Sequence, residues 1–165
     1  MGITNRDRLY IHQSRDQDPT RIHSERETKM AIQAKLKWTD GLQFVGRADD
    51  GPGVVIDTRD SATGPSPMQM VLMGVAGCTA MDVISVLVKK RAQVTNFEVN
   101  ISGERADEHP KRFTSIRIEY VVYGQNIKAN AVEQAITLSE TKYCSAIASL
   151  NADFEHAFRI VEVSD

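Results

Sequence analysis

The sequence has little cysteine, no strong excess of charge and no apolar run near its N-terminus. Its 165 residues include two cysteines and carry a net charge of -2 at pH 7. Two cysteines are too few for the disulfide framework of a small secreted protein, and a general nucleic-acid-binding protein would be clearly basic. Because no signal-peptide core precedes the domain, we expect a protein of the reducing cytoplasm that does not bind nucleic acid.

The first 29 residues are poor in apolar side chains. They contain eleven charged residues and six apolar ones, too few to offset the conformational entropy lost on ordering. We therefore expect a polar, mobile extension over residues 1–29. The folded domain is expected over residues 30–165, a length that can bury a core without covalent staples.

Alternation of apolar and polar residues predicts strands along most of this domain. In AIQAKLKW every second residue from Ile32 to Trp38 is apolar, the period of a half-buried strand. Similar patterns follow over residues 42–45, 53–58, 97–101, 116–122 and 154–163. With two helices between them, the predicted order is β-β-β-α-β-β-α-β. The sequence contains neither an internal repeat nor a glycine-rich phosphate loop, so we predict an α+β domain.

The most apolar segment runs from Met70 to Val88 and contains one charged residue, Asp82. A segment of this length could span a membrane. However, a carboxylate at membrane depth is costly, and the predicted strands need a helix on which to pack. Ser66 and Pro67 are typical of a helix N-cap and a first helical residue. We predict a long, buried core helix and no membrane partner.

A second helix is predicted over residues 130–144, whose helical face combines Val132, Ala135 and Ile136 with Ser139 and Tyr143. The two cysteines lie on these two helices. Unpaired cysteine most often behaves as a small apolar core residue. Two thiols on packed helices could instead form a redox couple, and their spacing leaves both interpretations open.

Asp82 lies one turn after Cys78 on the same helical face, where an anion would oppose formation of a thiolate. A zinc site from Cys78, Asp82, Cys144 and His156 is possible in ligand type. None of these residues has the spacing of a ligand pair. We therefore predict no metal and no cofactor.

Two strings, SPMQMVLMGVAGCTAMDV and SETKYCSA, resemble the OsmC/Ohr family of thiol-dependent hydroperoxide reductases, and especially its YhfA-like branch. The resemblance runs from residue 31 to the C-terminus. It implies an OsmC-like fold, in which β-sheets wrap around two central helices in an intertwined homodimer. It also implies a peroxidatic cysteine, matched by Cys78, and a resolving cysteine, matched by Cys144. The implied substrates are an organic hydroperoxide and an external dithiol reductant.

In the catalytic branches of the family, an arginine oriented by a glutamate favours the thiolate. Arg47 best matches the arginine, but Met68 stands where the family has the glutamate. The adjacent Gln69 could hold a guanidinium or a peroxide oxygen by hydrogen bonding, yet supplies no carboxylate. We predict a peroxidase of oxidative stress defence that uses a Cys78–Cys144 couple. The alternative is a non-catalytic dimer that senses redox state or binds a small apolar ligand.

Overall fold

The computed structural model describes residues 32–48, 51–58, 60 and 62–163. The described elements follow the predicted order, except that the second helix is divided into three parts. They belong to one compact unit, Ala34–Asp165. The extension predicted over residues 1–29 lies outside the described residues.

The described part of the chain forms two three-stranded sheets and three α-helices, with a π-helical turn after the second helix. The strands are β1 Ala34–Asp40, β2 Gln43–Ala48, β3 Val54–Ile56, β4 Gln93–Arg105, β5 Phe113–Gln125 and β6 Asp153–Glu162. The helices are α1 Pro67–Lys89, α2 Ala129–Leu138, the π turn Ser139–Tyr143 and α3 Ser145–Ala148.

The two sheets differ in how their strands are joined. The first, β1-β2-β3, is antiparallel throughout, and its first hairpin turns at Gly41, whose φ of 51° favours glycine. The second, β4-β5-β6, pairs β4 and β5 antiparallel but β5 and β6 parallel. A parallel pair needs a crossover connection, and α2, the π turn and α3 provide it. This crossover carries Cys144.

The start of α1 agrees with the sequence prediction. Ser66 is the N-cap and Pro67 the first helical residue. The Ser66 hydroxyl accepts the Gln69 N–H at 3.3 Å, and the Gln69 side-chain oxygen accepts the Ser66 N–H at 2.8 Å. This capping box satisfies two backbone donors and fixes where the helix begins.

One face of α1 forms the centre of the core. Its fully buried residues recur every four positions: Val75, Thr79, Val83 and Leu87. Val75, Val83 and Leu87 share one cluster with buried residues of β5 and α2, among them Ile116, Ile118, Tyr120, Val132 and Ile136. The prediction of a core helix is confirmed for this face.

The opposite face of α1 is apolar and exposed in the single chain. Met81 is 71% exposed, and Met73 and Val88 are also exposed, so the described chain by itself covers only one face of the predicted core helix. By length and composition α1 could cross a membrane. Its buried face, however, contributes Thr79 to a hydrogen bond with Tyr120 inside the domain core.

Strand β1 forms as predicted, but its predicted half-burial is wrong for the single chain. All seven residues of β1 are exposed, including Leu36 and the 62% exposed Trp38. The alternating apolar pattern therefore describes a strand whose apolar face is uncovered in the described chain.

Tyr120 joins β5 to α1 through a buried hydrogen bond, because its hydroxyl lies 2.7 Å from Thr79 Oγ1. Replacing Tyr120 by Phe keeps the ring but removes this bond. We expect Tyr120→Phe to lower the free energy of unfolding by about 1 kcal/mol, measured by urea denaturation. Tyr143→Phe is the matched control. Tyr143 is exposed, so removing its hydroxyl should leave the urea midpoint unchanged. Equal midpoints for both variants would contradict the expectation.

Candidate active site: two thiols beside a carboxylate

The two cysteines meet between α1 and the crossover. The Sγ atoms of Cys78 and Cys144 and a carboxylate oxygen of Asp82 all lie within 4.8 Å of one another. Both thiols are free. A disulfide needs an S–S length of about 2.05 Å. The structure therefore brings together the two cysteines that the sequence marked as a possible couple.

The π turn determines which residue of the crossover faces α1. The Cys144 N–H donates to Ser139 O at 2.8 Å, a bond across five residues that inserts one extra position into the helix. After Ser139, the next buried residue is therefore Cys144, which is 3% exposed, whereas Tyr143 is 47% exposed. The prediction that Tyr143 shares the buried face is wrong for this reason.

Cys144 ends the π turn and caps the short helix α3. Its Sγ accepts the Ile147 N–H at 3.5 Å. Burial raises the pKa of the Cys144 thiol to about 11; the Ile147 N–H opposes this shift, and the neighbouring Cys78 adds to it. Cys144 is therefore a protonated thiol at neutral pH.

A chain of buried hydroxyls leads to the Asp82 carboxylate. Ser139 Oγ lies 2.9 Å from both Asp82 Oδ2 and Thr79 Oγ1, and Thr79 Oγ1 lies 2.7 Å from the Tyr120 hydroxyl. Each hydroxyl carries one proton and a carboxylate only accepts. Ser139 therefore donates to Asp82 Oδ2, and its contact with Thr79 extends the network to Tyr120, where either hydroxyl can be the donor.

Tyr120 lies at the buried end of this network. Burial raises the pKa of Tyr120 to about 12, against the lowering effect of its hydrogen bond with Thr79. Neither Tyr120 nor Thr79 was predicted from the sequence to belong to the site. One signal was available, since Thr79 is a polar residue on the most apolar helical face.

The two residues predicted to tune the thiol, Arg47 and Gln69, form their described hydrogen bonds with other groups. Arg47 is exposed on β2, and its Nε donates to Gly51 O at 3.0 Å. Gln69 is exposed and uses its side-chain oxygen in the helix cap. Met68 is partly buried and packs against the apolar core. Within the described residues, neither Arg47 nor Gln69 forms a hydrogen bond or ion pair to the thiols.

His156 does not join the thiols either. Its Nδ1 lies 3.1 Å from Glu140 and its Nε2 3.4 Å from Glu133. Burial raises the pKa of Glu140, and His156 partly offsets that effect. Of the four residues considered as zinc ligands, three therefore come together: Cys78, Asp82 and Cys144. They could ligate a metal by donor type, and the absence of a metal stays a prediction.

Comparison with known proteins identifies the family of this site. A family model described as OsmC-like protein matches residues 59–157. The protein YhfA of Escherichia coli K12 is 39% identical over 132 residues, which cover 79% of this chain and 98% of YhfA. The chain belongs to the OsmC-like family. The resemblance seen in the sequence around the two cysteines is confirmed.

Solved structures support the OsmC-like fold. A hypothetical protein from Aquifex aeolicus VF5 is 28% identical, with a TM-score of 0.69 over 81% of this chain and 99% of that chain. An organic hydroperoxide resistance protein OsmC from Legionella pneumophila has a TM-score of 0.60 over 80% of this chain and 98% of that chain, at 13% identity. At that identity, the second likeness concerns the fold alone.

The environment of Cys144 predicts a strong pH dependence of its alkylation. We expect iodoacetamide to modify Cys78 first at pH 7, because Cys144 is buried and its pKa is raised to about 11. Modification of Cys144 should accelerate as the pH rises toward 11, since the thiolate is the reactive form. Peptide mapping by mass spectrometry measures each site, and the urea-unfolded chain serves as the control. Equal rates at both cysteines in the folded protein at pH 7 would refute this expectation.

Proposed function

We propose that this OsmC-like protein is a thiol-dependent peroxidase that reduces organic hydroperoxides in the cytoplasm through Cys78 and Cys144. The observation that supports it is the approach of the two sulfur atoms to within 4.8 Å. A core cysteine needs no second thiol beside it, whereas a peroxidase cycle that ends in an internal disulfide does.

The proposed cycle has three steps. The Cys78 thiolate attacks the terminal peroxide oxygen, so the O–O bond breaks, Cys78 becomes a sulfenic acid and an alcohol leaves. The Cys144 thiol then attacks the Cys78 sulfur, which forms the disulfide and releases water. An external dithiol restores both thiols by exchange.

Burial supports this division of roles. Cys144 is almost completely buried and has a raised pKa, so it is poorly suited to meet a peroxide from solution. Cys78 is only partly buried. The accessible thiol is therefore proposed as the attacking group and the buried thiol as the resolving one.

Gly74 supports access to Cys78. Side chains on a helix lean toward its N-terminus and over the residue four positions earlier, which for Cys78 is Gly74. A Cβ at Gly74 would meet no other group within 4 Å in the described chain. The space beside Gly74 leaves room for the organic substituent of a hydroperoxide.

The second candidate function is a non-catalytic sensor or binder of small apolar ligands. It is favoured by Met68 in the position of the family's glutamate and by the exposed position of Arg47 on β2. In the peroxidase proposal, Arg47 or Gln69 would tune the thiol or bind substrate only after a second subunit brings these exposed side chains to it.

We further propose that the protein is a homodimer. Five of the uncovered apolar residues lie on α1 and β1: Met73, Met81, Val88, Leu36 and Trp38. Apolar surface of this extent marks an interaction site. A second copy of the chain covers both surfaces in the intertwined arrangement that the family resemblance implies.

The function is tested by consumption of cumene hydroperoxide and hydrogen peroxide with dithiothreitol as the dithiol. We expect turnover that prefers the organic peroxide. Cys78→Ser should abolish it, and Cys144→Ser should permit oxidation of Cys78 without formation of the internal disulfide. If peroxide loss in the intact protein does not exceed that in Cys78→Ser and both thiols stay reduced, the sensor or binder is the better account.

The dimer is tested by a charge on the exposed face of α1. We expect the intact protein to sediment at twice the chain mass and Met81→Asp to sediment at the mass of one chain, because a carboxylate would be buried unpaired in the interface. Thr137→Asp, at an exposed site on α2, is the control and should remain dimeric. A Met81→Asp variant that stays dimeric would remove this face of α1 from the proposed interface.

A further inference from the structure

We propose that Asp82 transfers the protons of the peroxidase cycle, an inference that rests on the function proposed above. In each of the first two steps a thiol loses a proton and an oxygen atom leaves as an anion. A single group that takes the proton from each thiol and returns it to the leaving oxygen must reach both sulfur atoms.

Asp82 meets this geometric requirement. One of its carboxylate oxygens lies within 4.8 Å of both Sγ atoms, a separation that one bridging water molecule can span. Ser139 donates to Asp82 Oδ2 at 2.9 Å, and the carboxylate has further lone pairs that can accept a proton. The hydroxyl chain behind Ser139 holds the carboxylate toward the thiols.

The first step balances with Asp82 as carrier. The carboxylate takes the proton of the Cys78 thiol, and the sulfur attacks the terminal oxygen of the peroxide. The O–O bond breaks, its electron pair goes to the departing alkoxide, and the protonated Asp82 returns the proton to give the alcohol. The sulfur is oxidised by two electrons, the peroxide is reduced by two, and the carboxylate is regenerated.

The second step uses the same carboxylate. Asp82 takes the proton of the Cys144 thiol, whose sulfur attacks the sulfenic sulfur of Cys78. The S–O bond breaks, and the departing hydroxide takes the proton from Asp82 to become water. A buried thiol that is protonated at neutral pH needs a base at this point, and Asp82 is within reach of it.

The proton-transfer role can be distinguished from a purely electrostatic effect of Asp82, because the two predict opposite changes in the oxidation rate of Cys78 when the charge is removed. An anion beside a thiol opposes its ionisation, so removing the charge should make Cys78 more reactive toward an alkylating agent that needs no proton. Reduction of a peroxide does need a proton on the leaving oxygen. Loss of a proton carrier should therefore slow oxidation while alkylation is unchanged or faster.

The experiment uses the full chain with Cys144→Ser, so that Cys78 is the thiol observed. Asp82→Asn is the test variant, because its side-chain oxygen can still accept from Ser139 while it cannot carry the proton. Asp107→Asn, an exposed position in the β4–β5 loop, is the matched control. Two rates are measured at pH 7: alkylation by iodoacetamide, and single-turnover loss of the thiol with cumene hydroperoxide.

We expect Asp82→Asn to slow oxidation by about 100-fold or more, the lower end for general acid–base catalysis, with alkylation unchanged or faster. Asp82→Glu, which restores a carboxylate, should recover at least part of the oxidation rate. If Asp82→Asn leaves oxidation unchanged or speeds it, Asp82 is only an unfavourable charge. If it slows both reactions equally, the residue is structural, and either result overturns the inference. An intact protein whose Cys78 is alkylated but never oxidised overturns the proposed function itself.

Discussion

The hydrogen bonds of the Thr79 hydroxyl hold together the three elements that build the site. Thr79 is fully buried on α1 and contacts Tyr120 on β5 and Ser139 at the start of the π turn. Because a buried hydroxyl is costly unless it is paired, these contacts fix the rotation of α1 about its axis. Cys78, the preceding residue, and Asp82, one turn later, are thereby set toward the crossover.

The π turn completes this arrangement from the other side. An uninterrupted α-helix would follow Ser139 with a buried Tyr143, and its aromatic ring would occupy the space beside α1. The extra residue places the small Cys144 there and turns Tyr143 outward. The same local change lets Cys144 cap α3, so a single insertion positions the thiol and starts the next element.

The sequence predicted the order of elements and the start of α1 because these depend on local patterns: period-two alternation in the strands and the Ser66 and Pro67 signals at the cap. It also marked both cysteines. The π turn was missed because residues 139–143 fit an α-helical period as well as a π one. The exposure of β1 was missed because alternation reports which face is apolar, not whether the same chain covers it.

The sequence showed that Asp82 lies one turn after Cys78. Its approach to Cys144 depends on the crossover and could not be predicted from residue spacing. In the sequence this carboxylate is an obstacle, since its charge opposes a thiolate. Beside two sulfur atoms and held by Ser139, it acquires a second property, because an anion that disfavours ionisation is also a base that can receive the thiol proton. Along α1, Asp82 lies on the other side of Cys78 from Met68, the residue that the family resemblance matches to a glutamate. In the proposed reaction the cost of that charge is offset at the step where the leaving oxygen needs a proton.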